Sequence, residues 1–171
     1  MSSKELFYKL SKDLGDNLKK KRKIITLVES CTGGWISKII TDVSGSSVYF
    51  QRGFITYSDE AKHDMLGINK SILSKYGAVS EQVVIDMAKK ALVLANADFA
   101  FAVSGVAGPN GVSGLQPVGI VWFAFSSNSF LNNQATTYCC YFKGNRFQIR
   151  RQAVIFSLKT LVKEIKKALN I

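Results

Sequence analysis

Lys23–Val43 reads KIITLVESCTGGWISKIITDV, and the fold turns on how the two halves of this stretch join. Ile24 to Val28 is a short apolar run, rich in β-branched residues, of the kind that forms a buried strand. Beyond the glycines, Trp35, Ile36, Ile39, Ile40 and Val43 recur at helical spacing and mark one apolar helix face. Strand, tight turn and helix in succession make the repeating unit of an α/β fold. The join itself, ESCTGG (Glu29–Gly34), crowds two hydroxyls, a thiol and two glycines together.

The rest of the chain extends that pattern. Ser2-x-x-Glu5 is a capping box, followed by Leu6, Leu10, Leu14 and Leu18 at helical spacing. Val48 to Tyr57 reads as a strand and Asp59 to Leu66 as a short helix. Ser80 can cap a helix whose stripe is Val84, Met87, Ala88, Ala91, Leu92 and Ala95. Phe99 to Val103 is a second buried strand, and Gly119–Phe125 can pair with Gln134–Phe142 as a hairpin. A final helix starts near Asn145, with Val154, Leu158, Leu161, Ile165 and Leu169 inward. These elements predict one domain over residues 1–171, a three-layer α/β/α sandwich around a mixed sheet.

Composition narrows the function classes. Apolar residues make up 47% of the 171, and charged residues 20%, which argues for a globular chain. Lys and Arg number 23 against 12 Asp and Glu, a net charge of +11. That surplus points to nucleic acid, a membrane surface or a small anion. The densest run, Lys19–Lys23, closes the first helix, where cations complement the helix dipole. Phe99 to Phe142 carries no charge, but its apolar runs are too short for a bilayer span. Cys31, Cys139 and Cys140 form no CxxC pair, and MSSKELFYKLSKDLG lacks the apolar core of a signal peptide. A cytoplasmic, reducing compartment fits. One histidine and no acidic cluster give a metal ion few ligands, so no metal is expected.

In such a sheet, ligands gather beyond the carboxyl ends of the strands. Ser30 sits there. If the helix starts near Thr32, Gly33 and Gly34, its free N–H groups face the Ser30 hydroxyl and form an oxyanion site. A serine needs a base. His63 is the one histidine. The other candidate is Lys62, after Tyr57 at the end of a strand. At the reference pKa a lysine is neutral in about 0.04% of molecules at pH 7, so burial or a neighbouring cation must lower it. Cys31, with His63, is the rival nucleophile; a small buried cysteine is the alternative. The small residues of Val103–Gly111, among them Ser104, Gly105 and Gly108, allow a ligand close to the backbone. Arg146 and Arg150, one turn apart, suit a phosphate.

ESCTGG, VSGSSVYF, GFITYSDEAKHDMLG, GAVSEQVVIDMAKKA, VSGVAGPNG and QPVGIV follow in this order. As a set they resemble the CinA C-terminal domain family of nicotinamide-nucleotide amidases, from about Leu27 to Leu158. The resemblance implies hydrolysis of the carboxamide of nicotinamide mononucleotide to nicotinic acid mononucleotide and ammonia, without a cofactor, in pyridine-nucleotide recycling. It implies Ser30 as nucleophile, Tyr57 and Lys62 as its catalytic partners, Arg146 as the family's arginine, and a homo-oligomer. This chain has Ser44 where the family usually has proline. Ser113–Gln116 replaces a Thr-Pro-Glu-Lys stretch, which bears on substrate or oligomer contacts. No room remains for the pyrophosphatase-like domain of many relatives, so a stand-alone form is expected. The rival readings are a basic nucleic-acid-binding module and an inactive family member kept as an interaction protein.

Overall fold

A computed structural model describes residues 2–111, 116–128 and 135–171. Ser113, Gly114 and Leu115 of the altered loop, and Gln134 of the expected hairpin, lie outside the described residues. The capping box at Ser2 opens α1 (Ser3–Lys21). Next come β1 (Ile25–Glu29), α2 (Trp35–Thr41), β2 (Phe50–Ile55), α3 (Asp59–Leu66), α4 (Lys70–Tyr76) and α5 (Glu81–Ala95). The chain continues as β3 (Phe99–Gly105), β4 (Ile120–Ser127), β5 (Ala135–Tyr141) and α6 (Arg146–Leu169), the last capped by Asn145.

The strands form one sheet in the order β2-β1-β3-β4-β5. β1 runs parallel to both β2 and β3, whereas β3, β4 and β5 are antiparallel in turn, so the sheet is mixed. The predicted hairpin is present as β4 and β5. The strand expected from Val48 begins two residues later, because Ser46–Val48 closes a 3₁₀ turn. α4 is an element the apolar spacing did not reveal: it buries only Leu73 and so carries no stripe.

Strand alternation explains the two layers of helices. In β3 and β4, Phe99, Phe101, Phe123 and Phe125 face one side, with Ala100, Ala102 and Ala124 on the other. The phenylalanine face packs against α1, α2 and α6 through Leu14, Leu18, Ile36, Ile40, Val154 and Leu158. Each such buried ring or branched side chain contributes about 1.5–3 kcal/mol. The alanine face receives α5, whose own contact residues include Ala88, Ala91 and Ala95. Small residues on both sides let that helix sit close.

The topology also fixes where a ligand can bind. From β1 the chain crosses to β2 on one side and, through α3–α5, to β3 on the other. Chain directions therefore diverge beside the carboxyl ends of β1 and β3, the usual crevice in such sheets.

Candidate active site

Three strand ends build the site. β1 delivers Ser30, whose N–H still donates to Val103 O at 3.0 Å and continues the sheet. The chain then reverses, with the Gly33 N–H donating back to Ser30 O at 3.0 Å. Gly33 (φ +61°) and Gly34 (φ +88°) take left-handed conformations that a side chain disfavours, and a Cβ on Gly34 would stand 2.9 Å from Ile55 Cδ1. The two glycines are requirements of the turn.

The helix N–H groups do not face Ser30 as expected. Glu29, 1% exposed, takes them instead. Its carboxylate accepts from the Ile36 N–H at 3.1 Å, and from the Ser37 N–H and hydroxyl, each at 2.7 Å. A carboxylate at that end also suits the helix dipole. Sequence reasoning missed this role, although Glu29 is the one acid in an otherwise uncharged strand.

β2 and α3 deliver the amine. Lys62 is 1% exposed, with Nζ 3.4 Å from Ser30 Oγ, 3.2 Å from Thr56 O and 3.4 Å from Ser58 O. Burial lowers its pKa from the ordinary lysine value, opposed by Asp59, whose carboxylate lies 3.7 Å away at the surface. A neutral amine has two N–H bonds and one lone pair. In that form both carbonyls would take the N–H bonds and the lone pair would be left for the Ser30 hydroxyl. The 3.4 Å contact is loose, as such contacts often are before substrate binds.

Tyr57, 57% exposed, follows β2 and accepts a 2.6 Å hydrogen bond from Arg146 Nη2. Arg146 Nη1 donates to Gly108 O, also at 2.6 Å. Ser30, Cys31, Tyr57, Gly105, Val106, Ala107, Gly108, Asn110 and Arg146 together line an open cavity of about 220 Å³. The glycine-rich loop thus lines this cavity. Gly105 also keeps β3 close to β4, since a Cβ there would stand 2.7 Å from Val121.

Other expected residues are placed differently. The Ser104 hydroxyl turns to the opposite face and donates to Ala78 O at 2.8 Å. Thr32 is fully buried, its Oγ1 without a partner among the described residues, and neither it nor Gly33 or Gly34 lines the cavity. Arg150 stands behind the turn, donating to Cys31 O and Thr32 O, so its guanidinium is turned from any phosphate in the cavity. Its position one helical turn from Arg146 gave no sign of that. Burial pushes the Cys31 thiol up to about 12, which leaves it protonated and a poor nucleophile. His63 donates Nδ1–H to Ile68 O at 2.9 Å, a bond that ties the end of α3. Among the described residues, no group of three or more His, Cys, Asp or Glu could hold a metal ion. No helix among them is long and apolar enough to cross a membrane.

The pattern of the CinA C-terminal domain matches residues 7–165. The chain is 50% identical over 167 residues to the nicotinamide-nucleotide amidohydrolase PncC of Enterobacter agglomerans, covering 98% of this chain and 99% of that protein. To the protein of the same name in Escherichia coli strain K12 it is 48% identical over 161 residues, 94% of this chain and 95% of the other. Among solved structures, the competence damage-inducible protein A of Klebsiella pneumoniae superposes with a TM-score of 0.88 at 33% identity. That superposition covers 93% of this chain and 96% of that one.

Proposed function

The chain belongs to the CinA C-terminal domain family, and on that premise we propose that it is a nicotinamide-nucleotide amidohydrolase. The reaction is hydrolysis of the carboxamide of nicotinamide mononucleotide to nicotinic acid mononucleotide and ammonia. One observation carries the reading: a fully buried lysine whose Nζ lies 3.4 Å from Ser30 Oγ, with the hydroxyl beside an open cavity.

Ser30 Oγ attacks the carboxamide carbon while neutral Lys62 takes its proton. The carbonyl oxygen becomes an oxyanion. Gly33 has committed its N–H to Ser30 O, so the Thr32 N–H, with no acceptor among the described residues, is the donor we assign. A good donor of this kind contributes about 3–4 kcal/mol. Tyr57, held by Arg146, relays that proton from Lys62 to the departing ammonia, so the C–N bond breaks to leave an acyl-Ser30 ester and a neutral Lys62 amine. Water, deprotonated by Lys62, then attacks the ester, and the proton returns from Lys62 to Ser30 Oγ as the acid leaves. Arg146 uses two of its five N–H groups on Tyr57 and Gly108 O, leaving others for the phosphate.

We further place residues 1–171 in one catalytic unit that works in the cytoplasm as a homo-oligomer. Free cysteines suit a reducing compartment. β5 supports assembly: it is an edge strand, ATTYCCY, without the charge or proline that usually protects an edge. The nucleic-acid reading loses weight because Lys23 pairs with Asp98 at 2.8 Å and Lys19 lies over the Tyr49 ring.

The test is ammonia release by purified protein given nicotinamide mononucleotide. Ser30→Ala should abolish it and Cys31→Ala should leave most of it. The reverse pattern transfers the chemistry to the thiol.

A further inference from the structure

Arg150 stands outside the cavity, yet it grips the turn that carries the nucleophile. Nε donates to Cys31 O at 3.0 Å and Nη2 to Thr32 O at 2.8 Å. The guanidinium carbon lies 5.5 Å from the centre of the Trp35 ring, and a Cβ on Gly33 would stand 3.4 Å from Nη2. The side chain is therefore packed on one side and hydrogen-bonded on the other.

The grip falls on a peptide with a switchable direction. Ser30 O accepting from the Gly33 N–H makes Ser30–Gly33 a β-turn, with Cys31–Thr32 as its central peptide. The two common turn types differ by a half-rotation of that peptide. In a trans peptide, C=O and N–H point opposite ways. With Cys31 O drawn to Arg150, the Thr32 N–H points away from the guanidinium, and the two residues before it, Ser30 and Cys31, line the cavity. Rotation would force a positive φ on Thr32, and the non-glycine residues with positive φ among those described are Arg22, Asn96 and Asn170. The cation also polarises the peptide it binds, which strengthens the opposite N–H as a donor.

We infer that Arg150 is a positioning residue that aims and polarises the Thr32 N–H as the oxyanion donor, rather than a phosphate ligand. The inference rests on the amidase reading above. It acts on the transition state, so it should appear in kcat and not in substrate binding.

The test is steady-state kinetics of Arg150→Met, which keeps the apolar stem over Trp35, and Arg150→Lys, with nicotinamide mononucleotide and phosphate-free nicotinamide riboside as substrates. Arg150→Met should lower kcat by about 10–100-fold on both substrates, with KM changed less than about threefold. Arg150→Lys, able to reach one carbonyl, should recover part of the loss. A raised KM for the mononucleotide alone, with kcat kept, would make Arg150 a phosphate ligand and overturn the inference. So would unchanged kinetics, or loss of the fold in both variants by thermal melting. Inactivity of the unaltered protein on both substrates would instead remove the amidase reading, and this inference with it.

Discussion

Replacing Lys62 with methionine separates what the amine does for catalysis from what it does to stability. In the native chain burial depresses its pKa, whereas in the unfolded chain it titrates as an ordinary lysine. Between those two pKa values the unfolded state holds a proton that the native state lacks. Stability of the native protein therefore rises with pH through that window, with a slope of at most about 1.4 kcal/mol per pH unit for one proton. Below the depressed pKa both states are protonated, and the native state carries the full cost of a buried ammonium. Asp59 at 3.7 Å and the carbonyls of Thr56 and Ser58 offset part of it. Methionine has similar length and no charge, so Lys62→Met abolishes this pH dependence. It also leaves two carbonyls without the amine, at about 0.5–1.5 kcal/mol each. Urea unfolding of both proteins from pH 6 to pH 10.5 should show native stability rising relative to Lys62→Met as the pH increases. Ammonia release should fall by about 10²–10⁴-fold, the range for loss of a general base. A stability difference constant across that pH range would mean an unperturbed lysine, and would refute the reasoning even if activity were lost.

Glu29→Gln places an amide N–H against one of the donors now bonded to the carboxylate, and should cost about 2–3 kcal/mol, or roughly 4–12 °C in Tm, by thermal melting. An unchanged Tm would show that the carboxylate is not holding α2. Iodoacetamide at pH 7.5 should spare Cys31, 6% exposed and with its thiol pushed up to about 12, while activity persists. Peptide mass spectrometry reads this directly, and modification of Cys31 in step with inactivation would restore the thiol as a candidate nucleophile. Light scattering should give a multiple of the chain mass, and Cys139→Lys with Tyr141→Lys, at two exposed positions of β5, should shift it to the monomer. A pair of substitutions that leaves the mass unchanged would move the interface elsewhere.

Local signals carried most of the architecture. The capping box at Ser2, the apolar stripe of α5 and the apolar run of β3 each depend on residues close in the chain. They could be read directly for that reason. α4 escaped because one buried leucine makes no periodic pattern. The order of motifs likewise pointed to Ser30, Tyr57, Lys62 and Arg146, and the fold sets Ser30 against Lys62 and Tyr57 against Arg146. Side-chain direction was a different matter. Nothing local distinguishes an arginine facing a phosphate from Arg150 holding the carbonyls of a turn 118 residues away. Nor does spacing tell that the Ser104 hydroxyl crosses to Ala78, or that Glu29 takes the N–H groups of Ile36 and Ser37 at the start of α2. Sequence alone determined most of the elements and the candidate groups for the site, since periodicity and residue chemistry are properties of short stretches. Which atoms meet, and whether the lysine amine is dry, was decided only by packing distant segments together. Desolvation and hydrogen-bond partnership arise from that packing and from nothing earlier.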